Sequence, residues 1–106
     1  MHPDMIELLQ EIRDLHARPM FISSGYRCEK HPVESMKELP GEHTYGLAVD
    51  IICHGAVALD LIGYAQSLFV SRIGMNQKGR ASSRFIHLGL GDRFLPQFPH
   101  NALWTY

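Results

Sequence analysis

The chain has 106 residues, of which 45% are apolar and 20% charged, and its formal net charge is −1. That length carries one domain with one modest core, and the apolar share excludes a disordered chain. No basic patch accompanies the near-neutral charge, which argues against nucleic acid as a partner, and no apolar run approaches the roughly 20 residues of a membrane span.

The first segment, residues 3 to 16, reads as a helix. Pro3 suits the first helical position, and Asp4 and Glu7 sit in the positive first turn. Met5, Ile6, Leu9, Ile12 and Leu15 recur at helical spacing and are expected to face the core. The same stretch is acidic and amphipathic, unlike a signal peptide, so synthesis and retention in a cytoplasm are expected. Arg18-Pro19 ends the helix.

PMFIS, residues 19 to 23, reads as a short strand, and Gly25 turns the chain. Residues 28 to 42 lack periodicity and carry Pro32, Pro40 and Gly41, so an ordered loop is expected. LAVDIIC, residues 47 to 53, is β-branched and apolar, the pattern of a central strand. A second helix is predicted over 56 to 69, with Val57, Leu61, Tyr64, Ala65 and Leu68 on one face. SRIGMN (71 to 76) and RFIHLGL (84 to 90) read as strands joined by a polar, glycine-containing turn. The C-terminal stretch, with two prolines before LWTY, is predicted to be a loop folded back over the domain. The order of elements gives an α+β fold, a mostly antiparallel sheet with helices on one side, as a single domain over 1–106.

Cys28 and Cys53 lie in no CxxC pair. They read as two reduced, largely buried thiols; one bridge between them is the other reading.

The alternation in RFIHLGL places Ile86, Leu88 and Leu90 on the core face and Phe85, His87 and Gly89 on the other. His87 thus projects from the middle of a rigid strand. With His43 and Asp50, seven residues apart at the mouth of the LAVDIIC strand, it makes two imidazoles and a carboxylate. That set suits zinc with one position left for water. Each residue also has a plain structural reading: a hydrogen-bonded strand histidine, a capping aspartate, a loop histidine. His2, His16 and His100 read as surface residues.

The motifs Ser24-Gly25-Tyr26-Arg27, then His43, Gly46, Ala48, Asp50 and Ile51, then His87, resemble the zinc D-alanyl-D-alanine carboxypeptidase family in order and spacing. That group includes D-Ala-D-Ala dipeptidases, phage L-alanyl-D-glutamate endolysins and the Hedgehog signalling domain. The match spans about residues 20 to 91, and a closing Trp104 fits the small phage-type members. The resemblance implies a Hedgehog-like zinc fold with Zn2+ on His43, Asp50 and His87. It implies that Arg27 supports the substrate carbonyl or the oxyanion, and that Ser24, Tyr45 and Trp104 line the substrate cleft. Ser24 also reads as a turn residue, and Arg27 as the charge of a turn-bracing ion pair.

The same resemblance exposes a gap. The family's general base, a carboxylate three residues or a histidine two residues before the last ligand, falls here on Arg84 and Phe85, and neither accepts a proton from bound water. Gly89 stands where many phage-type members have an aspartate. Glu42, beside His43, is the first replacement base, with His31, Glu34, Glu38 and His54 as others. The expected function is a phage- or prophage-type metallopeptidase acting on peptidoglycan stem peptides. It would be a carboxypeptidase or an endopeptidase at D- or L-alanyl bonds. A zinc-stabilised, weakly or non-catalytic binding module of the same fold is the alternative. A monomer is expected, without nucleic acid or membrane partners, acting at the cell wall after lysis-type release or from a virion.

Overall fold

In the computed structural model, which describes residues 1–24 and 42–106 without the side chains of Ser24 and Glu42, two helices cover one face of a five-stranded sheet. The elements run α1 (Pro3–His16), β1 (Phe21–Ser24), a 3₁₀ turn (Glu42–Tyr45), β2 (Ala48–Ile52), α2 (Gly55–Ser67), β3 (Arg72–Asn76), β4 (Phe85–Gly89) and β5 (Ala102–Thr105). The strands lie in the order β1-β2-β4-β3-β5, all neighbours antiparallel except β3 and β5. This is the α+β arrangement expected from the sequence.

Period-two alternation builds the sheet's inner face. Val49 and Ile51 of β2, and Ile86 and Leu88 of β4, are completely buried and pack with Ile73 of β3. Met5, Leu8, Leu9 and Ile12 of α1 and Ala58, Leu61 and Ala65 of α2 close that core from above. α1 starts on His2, whose Nδ1 accepts from the Asp4 amide, with proline at the first position. It ends where Ala17 turns left-handed and donates to the Arg13 carbonyl.

Several expectations need correction. Ile6 and Leu15 are half exposed, while Leu8 and His16 are buried instead. Met5, Leu8, Leu9, Ile12 and His16 form one stripe at helical spacing; Ile6 lies about 100° round from Met5, off that stripe. His16 is therefore not a surface residue. The C-terminal stretch is not all loop: Ala102–Thr105 forms a parallel edge strand on β3. The segment before it is pinned by Arg72, which donates to the Pro99 carbonyl at 3.0 Å, and by Asp92, which accepts from Ser71 Oγ at 2.6 Å. β2 stops at Ile52, so His54 leaves the sheet and becomes the N-cap of α2. Cys53 is a free, buried thiol, and burial pushes its pKa up to about 11. Cys28 and the loop over residues 28 to 41 lie outside the described residues.

Candidate metal centre

The outer face of the sheet carries the candidate site, and strand register assembles it. One cross-strand row runs through Ser24, Asp50, His87, Gly74 and Trp104, one residue from each strand. Asp50 and His87 are direct neighbours across the β2–β4 ladder, where opposed side chains lie close enough to interact. Their flanking residues are fully buried on the inner face, so the strand parity that builds the core also turns both side chains outward.

His43 comes from the 3₁₀ turn that enters β2. The turn closes through the Gly46 amide, which donates to the His43 carbonyl at 3.1 Å. Gly46 has φ +69, and a Cβ there would lie 2.8 Å from the His2 backbone nitrogen. Glycine is needed on both counts: left-handed backbone and close passage of another chain segment. The Gly46 carbonyl then accepts from the His2 amide at 2.9 Å, tying the turn to the start of α1.

His43, Asp50 and His87 are all buried, and one candidate ligand atom from each lies within 4.8 Å of the others. Asp50 Oδ1 is 3.3 Å from His43 Nε2 and 3.0 Å from His87 Nδ1. The two imidazoles meet edge-on, with centroids 4.9 Å apart. A tetrahedral ion with bonds of about 2.0–2.1 Å separates its ligand atoms by about 3.3 Å. The His43–Asp50 separation equals that edge, and the His87–Asp50 one is slightly shorter, within hydrogen-bond reach. Small side-chain shifts would let the three close on an ion, and the borderline nitrogen and oxygen donors suit a divalent transition metal. Burial pushes the Asp50 carboxyl up, but hydrogen bonds from His43 and His87 outweigh it and hold it well below the usual carboxylate range. The carboxylate is thus ionised, as a ligand must be.

Trp104 walls this group. Its ring lies 5.1 Å from that of His87, and it covers Gly74: a Cβ there would meet the indole Nε1 at 2.5 Å. Gly74 was not singled out from the sequence, although a glycine inside a strand pattern signals such an approach. The buried Arg72, on the same face as His87, places its guanidinium 5.3 Å from the Trp104 ring and 5.1 Å from that of Phe98. Tyr45 stands against Phe98 at 6.1 Å, is 39% exposed and is not part of the metal group.

The other expected site residues divide as follows. Arg27, with the replacement-base candidates His31, Glu34 and Glu38, lies outside the described residues. For Ser24 and Glu42 the backbone is placed, in β1 opposite Asp50 and in the 3₁₀ turn beside His43 respectively. His54 is exposed at the start of α2 and is not part of the metal group. Arg84 Nε donates to the Gly79 carbonyl at 3.0 Å, and Phe85 packs against Tyr106 at 5.1 Å.

A family model described as Peptidase M15 matches residues 1–89. Comparison with curated proteins and with solved structures gave no match. The matched span contains all three members of the buried His-Asp-His group, and the chain belongs to the peptidase M15 family of metal-dependent peptidases.

Proposed function

We propose that the chain is a zinc-dependent peptidase acting on peptidoglycan stem peptides, as a carboxypeptidase or endopeptidase at D- or L-alanyl bonds. The observation that carries this reading is the buried His43–Asp50–His87 group, with separations that suit a tetrahedral ion. When bound there, zinc supplies a Lewis acid and lowers the pKa of a coordinated water toward ~7.

The chain's own residues do the rest. His43 and His87 offer neutral nitrogen donors, and Asp50 offers an ionised oxygen. The strand row fixes Asp50 and His87 before anything binds, which limits reorganisation. Trp104 presents an apolar wall beside His87, suited to the small side chains of alanyl residues. Arg27, always charged and able to donate a fork of hydrogen bonds, would hold the substrate carbonyl and the developing oxyanion. Glu42, adjacent to His43, would take the proton from the attacking water. A phage or prophage setting, with action at the cell wall, accords with the small phage-type pattern.

One observation favours a second reading, a zinc-stabilised module that binds peptide or protein without turnover. The positions that carry the family's base are Arg84, bonded to the Gly79 carbonyl, and Phe85, packed on Tyr106. The test is cleavage of defined muropeptides by zinc-loaded protein, beside Glu42→Gln and Arg27→Ala. Turnover by the parent that falls at least a hundredfold in both variants, with zinc retained, supports the peptidase. Bound muropeptide without product supports the module.

A further inference from the structure

Arg72 lies on β3 two residues before Gly74, so strand parity sends its side chain to the face that carries Asp50 and His87. The rest of its cross-strand row is small. Gly89 on β4 and Ala102 on β5 are its direct partners, and Ala48 lies beyond Gly89 on β2. The Arg72 side chain is nonetheless buried, at 9% exposure. Burying a guanidinium is costly unless its surroundings engage it, so its contacts are informative.

Those contacts are with the chain that leads into β5. Nη1 donates to the Pro99 carbonyl at 3.0 Å. The guanidinium stands 5.1 Å from the Phe98 ring and 5.3 Å from the Trp104 ring, both within the range of attraction between a cation and an aromatic face. Each ring leads on to one imidazole of the metal group. Trp104 lies 5.1 Å from the His87 ring. Phe98 meets Tyr45 edge-on at 6.1 Å, and Tyr45 shares the 3₁₀ turn with His43. Gln97 Nε2 donates to the Tyr45 hydroxyl at 3.5 Å beside it. Gly74 lies against the Nε1 side of the indole, while Arg72 stands over its face.

We propose that Arg72 is a positioning residue of this site. It holds the Trp104 indole against His87, and the Phe98–Tyr45 pair beside the turn that carries His43, and so fixes the wall that a peptide substrate meets. A guanidinium suits this role because it donates in its plane to Pro99 while its flat faces meet rings; a lysine ammonium offers the charge without the flat surface. The part that concerns substrate rests on the peptidase reading above. The hold on Trp104 does not.

Arg72→Met keeps the apolar stem and removes the charge and the donors. The zinc-loaded full chain is compared with its variants well below the melting transition, by the ring-proton signals of His87 and the emission of Trp104, the chain's one tryptophan. Arg72→Met should move the His87 signals, because the indole ring current leaves them, and shift the emission to the red, with zinc content unchanged. Arg72→Lys should fall between the two, and it carries the same readouts if the methionine variant does not fold. With a defined muropeptide, Arg72→Met should raise KM about tenfold and change kcat less than about threefold, the pattern of lost binding rather than lost chemistry. Trp104→Leu should raise KM similarly, and adding Arg72→Met to it should raise KM no further. Unchanged His87 signals and emission would overturn the proposal, even if the melting temperature fell, because Arg72 would then only brace the chain before β5. Moved signals with an unchanged KM, or additive effects of the two substitutions, would overturn its substrate half. A parent that neither binds nor cleaves muropeptides would refute the peptidase reading and that half with it, and the ring signals and emission would still decide the hold on Trp104.

Discussion

Gly74→Ala adds one methyl group at the point where β3 passes under Trp104. That carbon would sit 2.5 Å from Nε1, 2.6 Å from Cε2 and 2.9 Å from Cζ2 of the indole. Comfortable contact is about 3.5–4.0 Å, so the ring must retreat by about 1 Å. The backbones give little, because β3 and β5 are paired with Gly74 opposite Trp104. Relief comes from rotating the indole, which lifts it off the His87 ring, 5.1 Å away. Overpacking of this kind costs about 1–3 kcal/mol, and a lost ring contact about 0.5–1.5 kcal/mol. Because Trp104 is only partly buried, the ring can give way toward solvent at the expense of its contacts with His87, Tyr106 and Arg72, and a loss of about 1–2 kcal/mol is expected. Trp104 is the chain's one tryptophan, so its emission reports the site without labelling. Urea titration should show a lower midpoint with an unchanged slope, and the native emission should shift to the red. Metal content should not change, since Gly74 supplies no ligand. Unchanged emission and midpoint would show that Trp104 does not lie over Gly74, and the proposed wall beside His87 would fall with it.

Further tests concern the supports of the fold. Asp92, whose side chain is 5% exposed, accepts from Ser71 and faces His100 at 2.9 Å. Burial pushes its carboxyl up, but the bonds from Ser71 and His100 hold it below the usual range. A depressed folded pKa stabilises above the unfolded value of about 3.9 and is lost as pH falls through the folded value. Asp92→Asn should therefore cost about 1 kcal/mol at pH 7, and the gap to the parent should close in melts below about pH 4; a gap independent of pH would contradict the ion's role. Leu61→Ala, at a side chain 1% exposed beneath α2, should cost about 2–5 kcal/mol in denaturant titration, and a loss under 1 kcal/mol would place Leu61 outside the core. Arg72→Lys keeps the charge but loses the planar group facing Phe98 and Trp104, so it should lower the melting temperature by several degrees; an unchanged melt would make the stacking incidental.

The core strands were legible because burial writes a period of two into the chain. Ile86 and Leu88 alternate with His87, so parity placed that side chain on the outer face; Asp50 read as lying at a strand mouth, whereas it sits in the middle of β2, flanked by the buried Val49 and Ile51. Gly46 stood out only as a member of the family motif, and the structure supplies its reason in the Met1 and His2 backbone beside it. α1 was found with its bounds intact because Pro3 marks its start, Arg18-Pro19 follows its end, and Met5, Leu9 and Ile12 recur at helical spacing between them. β5 was not legible: four residues following two prolines carry little local signal, and their strand state comes from a parallel edge of β3 far away in sequence. Gly74 escaped for a related reason, since its meaning depends on Trp104 lying across the sheet. His16 read as surface because its type outweighed its position, yet it continues the buried stripe of Met5, Leu9 and Ile12 by one further turn.

The most direct measurement is metal content per chain, by elemental analysis of untagged protein and of its His43→Ala and His87→Ala variants, each also melted with and without chelator. The account predicts about one zinc per parent chain, its loss from both variants, and a chelator-dependent melt only in the parent, because metal binding adds to folding free energy. No metal in the parent after zinc is supplied, or equal metal in both variants, would contradict the assignment of His43, Asp50 and His87 as its ligands.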